Sequence, residues 1–124
     1  MAATILVVDA EASIRRLLQL TLARAGYDAK TARTHEEAQR ICTTSGVDLV
    51  LADVGARADG HELARWVAAE CPKIRVLLMA GWSVECDDCP FSPSCDLITK
   101  PFRTDRLLAA VERALAQGPE QGAN

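Results

Sequence analysis

A chain of 124 residues has room for one domain of ordinary size, read here as a core over 4–116 with a tail over 117–124. Hydrophobic residues make up 49% of it and charged residues 25%, a balance that suits a packed core, and aromatics at 4% make that core aliphatic. A net charge of −3 argues against a nucleic-acid partner, which usually needs a basic stripe, and no apolar run approaches the roughly 20 residues that span a bilayer. Neither nucleic acid nor membrane is therefore expected as a partner. The N-terminus enters a strand-like run with no basic region and no cleavage site, so a cytoplasmic protein with reduced thiols is expected.

Ile5 to Val8 is apolar at every position and closes on Asp9, the pattern of a strand buried on both faces in a parallel sheet. From Ser13 the spacing becomes helical: Ile14, Leu17, Leu18, Thr21 and Leu22 share an inward face, while Arg15, Arg16, Gln19 and Arg24 form a solvated one. Gly26 stops this helix. Asp28 to Ala32 is a short, weak strand. Thr34 and Glu37 form a capping box that opens a helix running to about Thr43, with Gly46 beyond it.

Val47 to Ala52 is a second apolar run, and it closes on Asp53. After a loop over 55–60, His61 to Cys71 reads as a helix with Leu63, Ala64, Val67 and Cys71 inward, terminated by Pro72. Arg75 to Ala80 holds a third run. Residues 83–95 show no periodicity and carry two prolines and three cysteines, so this segment reads as loop. Asp96 to Thr99 is a last short strand closing on Lys100, and a final helix spans about Thr104 to Ala116. Strands and helices alternating at this spacing build right-handed βαβ units. The result is a single doubly wound α/β domain with helices on both faces of a five-stranded parallel sheet. The helix due between the fourth and fifth strands is short or replaced by the cysteine-containing loop.

In such a sheet, ligands bind beyond the carboxyl ends of the strands. Asp9, Asp53 and Lys100 each close a strand, so the parallel arrangement brings two carboxylates and an ammonium to one edge. That set suits a divalent cation and a phosphoryl group: the cation lets the carboxylates sit together, and the lysine balances the arriving charge.

The segments Ile5-Leu6-Val7-Val8-Asp9, Asp48-Leu49-Val50-Leu51-Ala52-Asp53 and Lys100-Pro101-Phe102 resemble, in order and spacing, the three signatures of the response-regulator receiver family of two-component signalling. Val76 to Trp82 is similar to its fourth-strand motif. The strand order 2-1-3-4-5 of the flavodoxin-like fold comes with this resemblance and not from the spacing. The resemblance implies that Asp53 accepts a phosphoryl group from the histidine of a kinase or phosphotransfer protein. It also implies that Asp9, Asp53 and the Gly55 carbonyl hold magnesium, and that Lys100 pairs with Asp53 or the phosphate. The signal would pass to a downstream effector by protein contact, from a monomer or weak homodimer that is not an enzyme.

Four positions depart from the pattern. Ala10 replaces a second acidic residue, and Glu11, one position later, is expected to point elsewhere. Ala80 lacks the usual hydroxyl, Leu97 stands at the aromatic switch position, and the loop after Asp53 has no proline and is one residue short. The loss at position 10 weakens the magnesium site, and the loss at position 80 weakens the hold on the phosphoryl group. Without that hydroxyl and the aromatic, the coupling to a surface change lacks a carrier, which opens a second reading, a pseudo-receiver that binds its partner without phosphorylation.

Cys86, Cys89 and Cys95 form a CxxC with a third cysteine. They could be inert, could hold zinc with a fourth ligand such as His61, or could form a reversible disulfide, which would make the loop metal- or redox-responsive. Cys42 and Cys71 read as buried small hydrophobes on helix faces. His35 and His61 read as solvated residues at helix starts, and Trp66 as packing at the edge of its helix.

Overall fold

In the computed structural model the first apolar run forms β1 (Thr4–Val8), which is followed by α1 (Ala12–Arg24), β2 (Asp28–Ala32), α2 (His35–Thr44) and β3 (Leu49–Asp53). Then come α3 (Asp59–Glu70), β4 (Arg75–Ala80), β5 (Leu97–Thr99) and α4 (Thr104–Gln117). The structure describes residues 3–53, 59–80, 97–99 and 104–117, with the side chains of 53, 59–61, 80, 97–99 and 117 excepted. The segment 83–95 and the tail from 118 lie outside the described residues.

The sheet is parallel throughout and ordered β2-β1-β3-β4-β5. Alternation along each central strand divides the core in two. Leu6, Val8, Val50, Ala52 and Leu78 face α2 and α3, meeting Ala38, Cys42, Leu63 and Val67. Ile5, Val7, Leu49, Leu51, Leu77 and Met79 face α1 and α4, meeting Leu18, Leu22, Leu107, Val111 and Ala114. Burial on both sides is why these strands are apolar at every position instead of every second one.

The helix ends follow from local chemistry. At the end of α1, the Gly26 N–H donates to the Ala23 carbonyl and the Tyr27 N–H to the Leu22 carbonyl, both at 3.0 Å. This pair of bonds needs a left-handed residue between them, and Gly26 supplies it with φ +98°. At the start of α2 the Thr34 hydroxyl accepts from the Glu37 N–H at 3.1 Å, as the capping box requires. Glu37 returns the bond one residue further back, accepting from the Arg33 N–H at 2.7 Å. Thr34→Ala leaves an N-terminal donor of α2 without its partner and should cost about 1 kcal/mol. A lower urea midpoint at unchanged slope would register it.

Three expectations need correction. Leu17 does not face inward: it is 51% exposed, and Leu20 is 46% exposed. The sheet covers only the narrow stripe of Ile14, Leu18 and Leu22, spaced by four, and Leu17 falls on its flank. Arg15 is not on a solvated face, as described below. Cys71 is half-buried where full burial was expected, because the helix ends one residue before it. Two boundaries also shift: α3 begins at Asp59, before His61, and α4 extends through Gln117, into the expected tail.

Candidate functional site

The strand ends line up along one edge of the sheet. Val8 and Ala52 are register partners in the adjacent strands β1 and β3, so Asp9 and Asp53, each one residue further, reach the edge side by side. Neighbouring strands lie about 4.8 Å apart, which makes the two acidic residues close neighbours. Asp53 in turn pairs with Met79, and Ala80, the last residue of β4, pairs with Thr99, the last of β5. Lys100 follows Thr99 in sequence but lies outside the described residues, as do Gly55, Cys86, Cys89 and Cys95. Asp53 is placed by its backbone alone.

Asp9 is 4% exposed. It is the one charged residue among the described positions to be buried to that degree, which is costly unless its polar atoms are satisfied. Its N–H donates to the Ala32 carbonyl at 3.2 Å, continuing the β1–β2 ladder one step past the strand. Its Oδ1 accepts from the Glu11 N–H at 2.9 Å, turning the chain towards α1. Its carbonyl accepts from Arg15 Nη1 at 2.8 Å. Backbone and side chain of Asp9 are thus both held by the first turn after β1.

Ala10 is exposed and offers no ligand. Glu11 does not take its place: the Glu11 carboxylate accepts from the Ser13 hydroxyl at 3.0 Å, at the exposed start of α1. Arg15 is the residue that reading by amphipathicity misses. It shares its helical face with Leu18 and Leu22, three and seven positions on, which could have drawn attention to it. Among the described residues no cluster of three or more His, Cys, Asp or Glu side chains could hold a metal ion.

The family model of the response regulator receiver domain matches residues 5–112. The chain belongs to the receiver family of two-component response regulators. It is 35% identical over 120 residues to the nitrogen assimilation regulatory protein NtrX of Azorhizobium caulinodans, covering 93% of this chain and 26% of that protein. It is also 35% identical over 114 residues to PhoP, the alkaline phosphatase synthesis transcriptional regulatory protein of Bacillus subtilis, covering 90% and 48%. The crystal structure of a response regulator from Thermotoga maritima matches with a TM-score of 0.81 at 27% identity, over 94% of this chain and 99% of that one. That of NtrX from Brucella abortus in complex with ADP matches with a TM-score of 0.84 at 33% identity, over 94% and 27%. This chain therefore spans between about a quarter and a half of the curated regulators it matches.

Receiver domains are signalling modules and generally not enzymes. In this receiver the acidic edge is built on β1 and β3, the two strands at the centre of the topological switch between β2-β1 and β3-β4-β5. No helix of the described residues is long and apolar enough to cross a membrane.

Proposed function

We propose that this receiver accepts a phosphoryl group on Asp53 from the phosphohistidine of a kinase or phosphotransfer protein, and passes the signal to an effector by surface contact. The register that sets Asp9 beside Asp53 carries this reading. A Asp53 carboxylate oxygen attacks phosphorus, the bond to the imidazole nitrogen breaks, and the leaving imidazole keeps the electron pair and is protonated. An aspartyl phosphate results. Little covalent chemistry falls to the protein, whose part is positioning and neutralising charge.

The donor set fits magnesium. A buried carboxylate on Asp9, fixed through its own backbone, next to a second acidic residue, supplies the hard oxygens this ion prefers. Asp9, Asp53 and the Gly55 carbonyl would hold it, and when bound it supplies positive charge against the phosphoryl oxygens. Lys100, following β5, would pair with the phosphate.

A small phosphodonor such as acetyl phosphate, given with magnesium, should add a single phosphoryl group to the intact protein, measured by mass. No uptake under conditions that label an ordinary receiver would refute the proposal. Ala10 sets the expected strength of the cation site. Restoring the carboxylate with Ala10→Asp should tighten magnesium binding by on the order of tenfold, because affinity at such sites follows the number of charged ligands. A magnesium titration followed by tryptophan fluorescence measures this, and equal affinities would show that position 10 does not reach the ion.

A pseudo-receiver, binding its partner without phosphorylation, is the second reading. The exposed Ala10 favours it, as does Ala80, which ends β4 without a hydroxyl to contact a phosphoryl oxygen. A hydrogen bond to a charged group is worth roughly 1.5–3 kcal/mol, so this loss alone weakens the phosphorylated state noticeably. The cysteine-containing loop could then serve as a zinc- or redox-responsive element through Cys86, Cys89 and Cys95.

A further inference from the structure

Two thiols outside the acidic edge converge at the opposite end of the domain. Both α2 and α3 return antiparallel to the strands on the same side of the sheet, so their C-terminal ends finish at the same far edge. Cys42 lies in the last turn of α2, in step with Ala38 one turn earlier, and is 6% exposed. Cys71 is the first residue after α3. Its N–H still donates to the Val67 carbonyl at 2.7 Å, but Pro72 prevents a further helical turn. It packs against the cluster that contains Cys42, yet it is only half-buried and so open to small reagents. Both thiols are free.

We propose that Cys42 and Cys71 are a redox pair that closes to a disulfide tying the end of α2 to the end of α3, with a low-molecular-weight disulfide as oxidant. Cys71 enters first because it is the accessible thiol. Its thiolate attacks one sulfur of the reagent, a Cys71–reagent bond forms, the reagent's own S–S bond breaks, and one thiolate leaves to take up a proton. Cys42 then gives up its proton and attacks Cys71 Sγ, displacing the second reagent thiol. Two protein thiols are oxidised and one small disulfide is reduced to two thiols. Burial, with the Cys71 thiol beside it, pushes the Cys42 thiol up to about 11, which lowers the fraction of thiolate available for the second step.

The closed loop would run from 42 to 71, about 30 residues, and contains all of β3 and Asp53. Restricting the unfolded chain over that length should raise the thermal midpoint by about 10 °C.

The test incubates the full chain, native, with oxidised glutathione, alkylates the remaining thiols and digests with trypsin without reductant. Cleavage after Arg and Lys puts Cys42 in peptide 41–57, Cys71 in 66–73, and the other three cysteines together in 76–103. The expected product is 41–57 linked to 66–73, lost on reduction. The triple variant C86S/C89S/C95S should show the same link and the rise in midpoint, and adding C71S should abolish both. The proposal is overturned if 66–73 carries only glutathione, or if links join only cysteines of 76–103, with the midpoint of the triple variant unmoved by the oxidant.

Discussion

Asp53→Asn should abolish phosphoryl uptake from acetyl phosphate while leaving the protein folded. The amide is nearly isosteric and keeps every backbone contact of the β3 end, including its register with Met79. It has no anionic oxygen to attack phosphorus, so the loss should be complete and not a fractional slowing. The other carboxylates nearby are poor substitutes. Asp9 is buried and bonded to the turn that follows it, and Glu11 is turned to Ser13. The thermal midpoint without magnesium should hold or rise, because a neutral amide takes a negative charge away from the end of β3, which lies beside the end of β1 that carries Asp9. Intact mass and a melting curve on the same sample check both halves. Equal labelling of the variant and the parent would mean that another residue is the acceptor. Labelling of neither, with partner binding unchanged by the substitution, would move the chain to the pseudo-receiver reading.

The placing of Asp9 and Asp53 at strand ends is legible in the sequence alone. Asp9 and Asp53 announce themselves because each ends a run of residues buried on both faces, and such runs leave few alternatives to a central parallel strand. Parallel pairing then places both at one edge. The register, Val8 against Ala52, adds that they are immediate neighbours, which no count along the chain could supply. Arg15 was hidden for a different reason. A charged residue on an amphipathic helix defaults to solvent in any periodicity argument, yet the long guanidinium reaches back six residues to the Asp9 carbonyl. The approach of Cys71 to the cluster that holds Cys42 is hidden too. Each residue's burial can be guessed from its own helix, but their meeting depends on α2 and α3 lying on the same side of the sheet and ending at the same edge.

Leu18→Ala should cost about 2–5 kcal/mol of stability and Leu17→Ala almost nothing, although the two are adjacent in sequence and identical in chemistry. Leu18 is fully buried against Ile5, Val7, Leu49 and Leu51, so truncation leaves a cavity between α1 and the central strands. Leu17 is half in solvent, and its replacement by Ala loses little packing and gains helix propensity. Against a total stability of roughly 5–15 kcal/mol the first change is severe. Urea unfolding of both variants, at equal slopes, measures the contrast, and equal costs would place α1 in a different rotation on the sheet. The same experiment reaches the acidic edge. α1 carries Arg15 one turn before Leu18, and Arg15 holds the carbonyl of Asp9. Loosening α1 at Leu18 therefore loosens Asp9, so the Leu18 variant should also bind magnesium more weakly, while the Leu17 variant binds it as the parent does. A stability loss with unchanged magnesium affinity would show that Asp9 is held by its own turn, through the Glu11 N–H, and not by the seating of the helix.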